Sequence, residues 1–388
     1  MPPGGTMDVV DERRLRDRMV DRLLSAGALH RGPVADALRA VPRHLFLPGV
    51  EPAAAYEDEA IPTRWSTDGR PTSSSSQPAI VAAMLEQLGA RPGDRVLEIG
   101  SGTGWNAALL ARLVGPDGAV TTLDIDAEVA GQASRNLAAA GAGVVRVVRA
   151  DGAEGCPARA PYDRIILTAA ARDLAPAWWA QLAPGGRLVL PLALRGSQRS
   201  VAFERAGEGV LASVSIVDCG FMPLQGELAG ADPIHPLGRP GLFLLLDDPA
   251  MVDTAALLAA LDAGPVVATP VDVSRREALT GLRTWLALHE PAAGDLLAQR
   301  EDAHRPMPVL VGSGGLAALA PAGPGTEVQG YGADGDALAG RLLDHVLDWA
   351  GAGRPDSTRL RIRAYPAGTD VPTPTIDLPH TRFTVDWL

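Results

Sequence analysis

Apolar positions along this chain recur in two periods, and the places where the period changes mark its organisation. From Val9 to Ala40 the spacing is helical. Leu15, Met19, Leu23 and Leu24 fall on one face with charges between them, and Gly27 ends that stretch. Pro33 then opens a second short helix carrying Val34, Ala37 and Leu38. Val41 to Pro62 is broken by prolines and reads as an ordered loop, and Thr63 to Ser76 is polar, closing on Ser73, Ser74, Ser75 and Ser76. Pro78 starts a helix whose apolar face is Ile80, Val81, Met84, Leu85 and Leu88.

From there short apolar runs alternate with helical spacing. Predicted strands are Arg95–Ile99, Ala119–Leu123, Val144–Arg149, Tyr162–Thr168 and Arg187–Leu192. Predicted helices between them are Trp105–Val114, Ala127–Ala140 and one around Ala175–Leu182. Such alternation predicts an α/β fold, a doubly wound, mostly parallel Rossmann-like sheet with helices on both faces. Val201–Arg205 and Leu211–Val217 read as closing antiparallel strands. Leu224 to Gly241 is rich in Gly and Pro and reads as a linker. Beyond it lie strand-like runs (Leu242–Leu246, Met307–Val311, Leu360–Ala364, Arg382–Trp387) and helices at Thr254–Leu261 and Asp334–Ala350, a C-terminal α+β region. The expected division is therefore 1–229 and 230–388.

Length agrees, since 388 residues exceed what one hydrophobic core fills. With 46% apolar and 21% charged residues the chain is core-forming rather than disordered. A net charge of −11, with no lysine and no arginine run, argues against a general nucleic-acid binder. Cys156 and Cys219 supply neither a disulfide framework nor a metal motif. No signal-peptide core lies in Met1–Glu12 and no apolar run reaches membrane-spanning length, so a cytoplasmic address with no membrane partner is expected.

The candidate chemistry sits at Glu98-Ile99-Gly100-Ser101-Gly102-Thr103-Gly104, directly between a strand and a helix. Glycines there let backbone approach a ligand, and the helix start offers unpaired N–H donors. Dinucleotide-binding enzymes use a similar turn, so the flanking acids discriminate. Glu98 places a carboxylate where a cationic ligand is favoured over a pyrophosphate. Asp124 ends the next strand, where a carboxylate accepts both ribose hydroxyls. Asp151-Gly152 ends the third, where an aspartate can accept from an adenine amino group. Together they suit S-adenosyl-L-methionine, an adenosine carrying a sulfonium and an ammonium. The bland alternative is that each aspartate caps the helix after it.

Residues from about 10 to 217 resemble the protein-L-isoaspartate O-methyltransferases. The stretches that carry the resemblance are VPRHLFLP (41–48), AYEDEAIP (55–62), SSSSQPAIVAAML (73–85), DRVLEIGSGTGWNAALLA (94–111), APYDRIILTAA (160–170) and LAPGGRLVLPL (182–192). It implies a class I methyltransferase sheet and a cofactor set of Glu98, Gly100, Ser101, Gly102, Thr103, Gly104, Asn106, Asp124, Ile125, Asp151 and Gly152. It also puts Ser76, with Ser74 and Ser75, between cofactor and substrate carboxylate, and Ser73 toward the substrate; Asp58 either orients the serine run, contacts the substrate backbone or caps a turn. Ser74-Ser75 replaces the family's usual Thr-Ile, and the region after about 230 has no counterpart in ordinary repair enzymes. In both respects the chain looks like the members that act in ribosomal (lanthipeptide-type) peptide maturation, where an aspartate of a cyclised precursor peptide is esterified and closes to an aspartimide.

A carboxylate is already ionised at neutral pH, so its methylation needs alignment rather than a general base. The absence of a His/Asp or Cys/His constellation is consistent with that. Arg43 and His44 receive no assigned role. Three functions are then open: an aspartate methyltransferase of a modified ribosomal peptide, an L-isoaspartate repair methyltransferase, and a non-enzymatic scaffold that only binds the cofactor.

Overall fold

A computed structural model describes residues 5–66, 69, 71–195, 197–230, 234–246, 252–300, 303–323, 325–371 and 375–388. The helical spacing near the N-terminus gives α1 (Gly5–Ser25), with Met19, Val20 and Leu23 buried, and α2 (Pro33–Ala40), whose first turn accommodates Pro33. The loop expected over Val41–Pro62 contains a single 3₁₀ turn at Arg43–Phe46 and the four-residue α3 (Pro52–Ala55). The polar stretch after it contributes to an antiparallel hairpin of β1 (Ile61–Trp65) and β2 (Pro71–Ser75), which leads into α4 (Pro78–Leu88).

The alternating pattern then becomes β3 (Arg95–Ile99), α5 (Trp105–Val114), β4 (Ala119–Asp124), α6 (Ala127–Ala139), β5 (Arg146–Arg149), β6 (Tyr162–Leu167), α7 (Pro176–Gln181), β7 (Leu182–Leu194), β8 (Ser197–Gly207) and β9 (Val210–Asp218). β4 and β6 flank β3 in parallel, and β5 and β7 extend the sheet outward, also in parallel. Because these pairings are all parallel, the five strands point their C-terminal ends at one edge. Val96, Ile166 and Val189 of these strands join Leu85, Leu88, Leu109 and Leu110 of the helices in one core.

Two compact units share the chain. The first comprises residues 1–192, 200–229 and 363–383, and the second comprises 193–199, 230–362 and 384–388. The second holds β10 (Ile234–Pro236), β11 (Leu242–Leu245), α8 (Thr254–Ala263), β12 (Val267–Val271), α9 (Arg275–Glu277), a π-helical turn, α10 (Arg283–His289), β13 (Ala293–Arg300), β14 (Ala303–Val311), β15 (Gly315–Ala322), β16 (Gly325–Gly332) and α11 (Gly335–Gly351). Its strands form an antiparallel sheet in the order β10-β11-β13-β14-β15-β16-β12. The apolar runs in β14 and β15 have a reason. Leu310, Ala317 and Leu319 face a core with α11, while Val309, Val311, Leu316 and Ala318 face another with α8, so both sheet faces are covered.

The chain then returns. In β17 (Leu360–Pro366), Arg363 and Ala364 pair with Ala212 and Leu211 of β9; β18 (Thr375–Asp377) and β19 (Thr381–Trp387) follow. Residues 363–383 thus belong to the first unit, whereas a single division at 229/230 assigns them to the second region. Among the described residues, no helix is long and apolar enough to cross a membrane.

Candidate active site

The site is built at the C-terminal edge of β3, β4 and β5. After β3 the backbone turns sharply: the Gly100 and Ser101 amides both donate to Leu123 O, at 2.8 and 2.9 Å. Gly100 has φ +100°, and a Cβ there would lie 2.4 Å from Thr168 Oγ1, a hydroxyl that donates to Gly100 O at 2.6 Å. Only glycine satisfies both constraints. Gly102, at φ +50°, donates its N–H to Asp124 Oδ2 at 3.2 Å. Ser101 Oγ accepts from Thr122, Thr103 O accepts from Asn136, and Gly104 caps α5.

Glu98 is fully buried. Its Oε1 accepts from Asn106 Nδ2 at 2.8 Å, and its Oε2 has no hydrogen-bond partner among the described residues. Burial pushes this carboxyl up to about 7, against the pull of the Thr122 hydroxyl and the Asn106 amide. Burial likewise raises Asp124, opposed by amide donors that include Asp126 N and Gly102 N. Ile125, beside it, stays exposed for an apolar side chain. The helix-capping alternative fails for Asp124, because Asp126 is the residue that caps α6, accepting from Glu128 N and Val129 N. Asp-x-Glu at a helix start was a readable cap signal.

At the third strand end the capping alternative holds in part. Asp151 Oδ1 accepts from Ala153 N at 2.9 Å, closing a 3₁₀ turn, and Oδ2 accepts from Glu227 N at 2.8 Å. Gly152 lies buried beneath Ile99 and Leu224. The linker expectation from Leu224 onward is therefore corrected. Met222 O accepts from Ala170 N, Leu224 N donates to Ala170 O, and residues up to 229 belong to the first unit. A glycine- and proline-rich composition marks turns equally well in a packed loop.

The serine run lies against the glycine turn. Ser74 O stands 3.4 Å from where a Cβ on Gly102 would be. Ser73 and Ser75 are buried, Ser74 and Ser76 half-buried, and Ser75 Oγ has no partner among the described residues. Asp58 sits behind the strand: its carboxylate accepts from Gln77 Nε2 at 3.0 Å and from Ala79 N at 2.8 Å, so it holds the start of α4.

Arg43, given no role from sequence, organises this wall. It is completely buried and donates to five backbone carbonyls, those of Ala55, Glu57, Glu59, Ser75 and Ser76. Its guanidinium stands 5.1 Å from the Trp105 ring centroid, a cation–π contact. Burial lowers Arg43 to about 10, with Asp58 opposing, so it remains charged at neutral pH. Sequence carries no signal for this, since the acceptors are carbonyls that only the fold converges. His44 is bound nearby to Tyr56 and Glu12.

The donor set can be tested against a cofactor. A buried carboxylate with one unused oxygen suits a cationic or N–H-bearing group. A second carboxylate at the next strand end, with an exposed apolar side chain beside it, suits a ribose diol and a base face. These residues fit S-adenosylmethionine. Among the described residues, no group of three or more His, Cys, Asp or Glu is placed to hold a metal ion.

Residues 14–229 match the protein-L-isoaspartate(D-aspartate) O-methyltransferase family. A protein-L-isoaspartate O-methyltransferase of Methanopyrus kandleri is 40% identical over 222 residues, 57% of this chain and 96% of the relative. One from Methanoregula boonei is 42% identical over 217 residues, 56% of this chain and 94% of its own. A solved structure described as a protein-L-isoaspartate O-methyltransferase aligns with TM-score 0.53 at 22% identity, covering 90% of this chain and 96% of its own, a likeness of fold.

Proposed function

Because this chain belongs to the protein-L-isoaspartate(D-aspartate) O-methyltransferase family, and so to the S-adenosylmethionine-dependent methyltransferases, we propose that it esterifies the side-chain carboxylate of L-isoaspartyl residues in proteins or peptides. The observation that carries this reading is the serine strand packed on the glycine turn, with the Ser75 hydroxyl buried and without a partner among the described residues. A hydroxyl there can hold one oxygen of an incoming carboxylate without adding charge, which leaves the other oxygen free to attack. Glu98 would hold the cofactor's cationic end, Asp124 its ribose, Ile125 and Asp151 its base. When bound, the cofactor supplies an electrophilic methyl group. The chain's own contribution is alignment, which is worth up to about 7–11 kcal/mol in well-oriented systems. Burial of the serine wall also limits water around the nucleophile.

A second reading is an aspartate of a cyclised ribosomal precursor peptide, with the ester closing to an aspartimide. It is favoured by Ser74-Ser75 standing where the family has Thr-Ile. The second unit does not favour it, since a solved structure described as a protein-L-isoaspartate O-methyltransferase covers 90% of this chain.

Labelled S-adenosylmethionine with an isoaspartyl peptide, its aspartyl twin and a cyclised candidate precursor separates the readings. The isoaspartyl peptide should be labelled and its twin not. Labelling confined to the cyclised peptide would replace the first reading with the second. Cofactor binding with no methyl transfer to any acceptor would favour a scaffold.

A further inference from the structure

The serine wall is half of a two-stranded hairpin that is separate from both larger sheets. Such a hairpin is marginal by itself, so its placement needs anchors. Arg43 supplies one, at Ser75 and Ser76. The other end is held differently. Pro62 pairs with Ser74 and Arg64 with Ser73, so β1 carries one extra residue there. A bulge re-aims the side chains beside it. Arg64 reaches the start of α6, donating to Glu128 Oε2 at 2.7 Å and Asp126 Oδ1 at 3.3 Å.

Both ends of this contact lead to Asp124. Asp126 N donates to Asp124 Oδ1 at 3.1 Å, while Gly102, against which Ser74 O packs, donates to Asp124 Oδ2 at 3.2 Å. We propose that Arg64 is a positioning residue that ties the Ser73–Ser76 strand to the backbone holding Asp124, so that the cofactor and acceptor sites assemble together. This rests on the methyltransferase reading above for the roles of Asp124 and the serines. Arg64 and Asp126 are each more than a third exposed and Glu128 largely so, which makes the tie weak and sensitive to salt.

Hydrogen exchange of the full chain, with and without S-adenosylhomocysteine, tests the tie without any methyl acceptor. In the wild type the ligand should slow exchange of the 72–75 amides at low salt. Arg64→Ala should lose about two- to fivefold of that protection, the range of an exposed ion pair. Arg64→Glu and Glu128→Arg should each lose it, and the double swap should restore it. In roughly 1 M salt wild type and Arg64→Ala should converge. On an isoaspartyl peptide the Arg64→Ala loss should fall on KM more than on kcat. Unchanged ligand protection in Arg64→Ala at low salt, or a swap no better than either single variant, overturns the proposal. A wild type that shows the protection but does not methylate an isoaspartyl peptide refutes the acceptor assignment alone.

Discussion

At the scale of single residues, Glu98 and Ser75 are two of the buried groups near the site that lack full partners among the described residues. Glu98, raised from 4.5 to about 7 by burial, keeps its proton in the folded state where the unfolded chain has lost it. Rising pH between those values therefore weakens the fold, and the loss is complete above about 7. A bound cation favours the ionised carboxylate. S-adenosylmethionine affinity should thus rise with pH up to about 7 and then level, changing at most about tenfold per pH unit on the acid side. Calorimetry across that range should show the slope in the wild type and its loss in Glu98→Gln. A wild-type profile without the slope would remove Glu98 from the cationic end of the cofactor. The Ser75 hydroxyl gives a different signature. A buried hydroxyl without a partner is a cost, so Ser75→Ala should leave the melting temperature unchanged or slightly higher while lowering kcat. Equal fall of both would make Ser75 a packing residue and return the role to Ser74 or Ser76. The sequence placed these residues near one another through the motif, but it gave no sign that Ser75 and Glu98 each keep an unused oxygen. Hydrogen-bond vacancy depends on neighbours that are distant in the chain.

At the scale of elements, the parallel strands and their helices were legible because each has a strong, uninterrupted period. The hairpin β1–β2 was not. Thr63 to Ser76 has no alternation of apolar and polar positions, and its order comes from contacts outside it, with Arg43 at one end and, through Arg64, with Glu128 at the other. Arg43 makes the clearer test. Lysine has three rotatable donors and no planar fork, so Arg43→Lys leaves at least two of five carbonyls without their donor and gives up the stack on Trp105. At about 1.5–3 kcal/mol per charged hydrogen bond, a loss of roughly 3 kcal/mol or more is expected. Thermal unfolding should register it. Among molecules still folded, kcat should fall more than cofactor affinity, because the serine strand moves and the β3–β4 strand ends do not. A variant with wild-type stability would show those carbonyls to be satisfied by solvent.

At the scale of the whole molecule, the discontinuity of the units decides what can be cut away. Residues 363–383 complete the first unit: Ala364, Thr381 and Phe383 are buried, and His380 N donates to Asp173 Oδ2 at 2.8 Å. A chain ending at residue 229 would lose these strands and leave the β9 edge open to pairing with other copies. It should aggregate on size-exclusion chromatography. Replacing 230–362 by a flexible linker that keeps 363–388 should instead give a soluble protein that binds S-adenosylhomocysteine with near wild-type affinity. A monodisperse 1–229 fragment with full affinity would show the returning strands to be dispensable. If the linker variant binds cofactor but its KM for the peptide acceptor rises, the second unit contributes to acceptor recognition.

The sequence by itself determined the first unit's fold class, the order of its parallel strands and the helices between them, and the convergence of Glu98, the glycine turn, Asp124 and Asp151 on one sheet edge. Each of these follows from local rules: periodicity, the glycine requirement of a sharp turn, and the right-handed parallel crossover that brings successive strand ends together. Tertiary structure alone decided that the serine run is a strand, that residues 222–227 fold back over the third strand end, and that residues 363–383 rejoin the first sheet. Those outcomes depend on pairings across long separations in the chain, Arg43 with Ser76, Asp151 with Glu227, Ala212 with Arg363, whose partners carry no mutual signal in a single sequence. Backbone amides and carbonyls, the groups that make most of these contacts, are the same at every position, so no pattern of side chains announces which of them will meet.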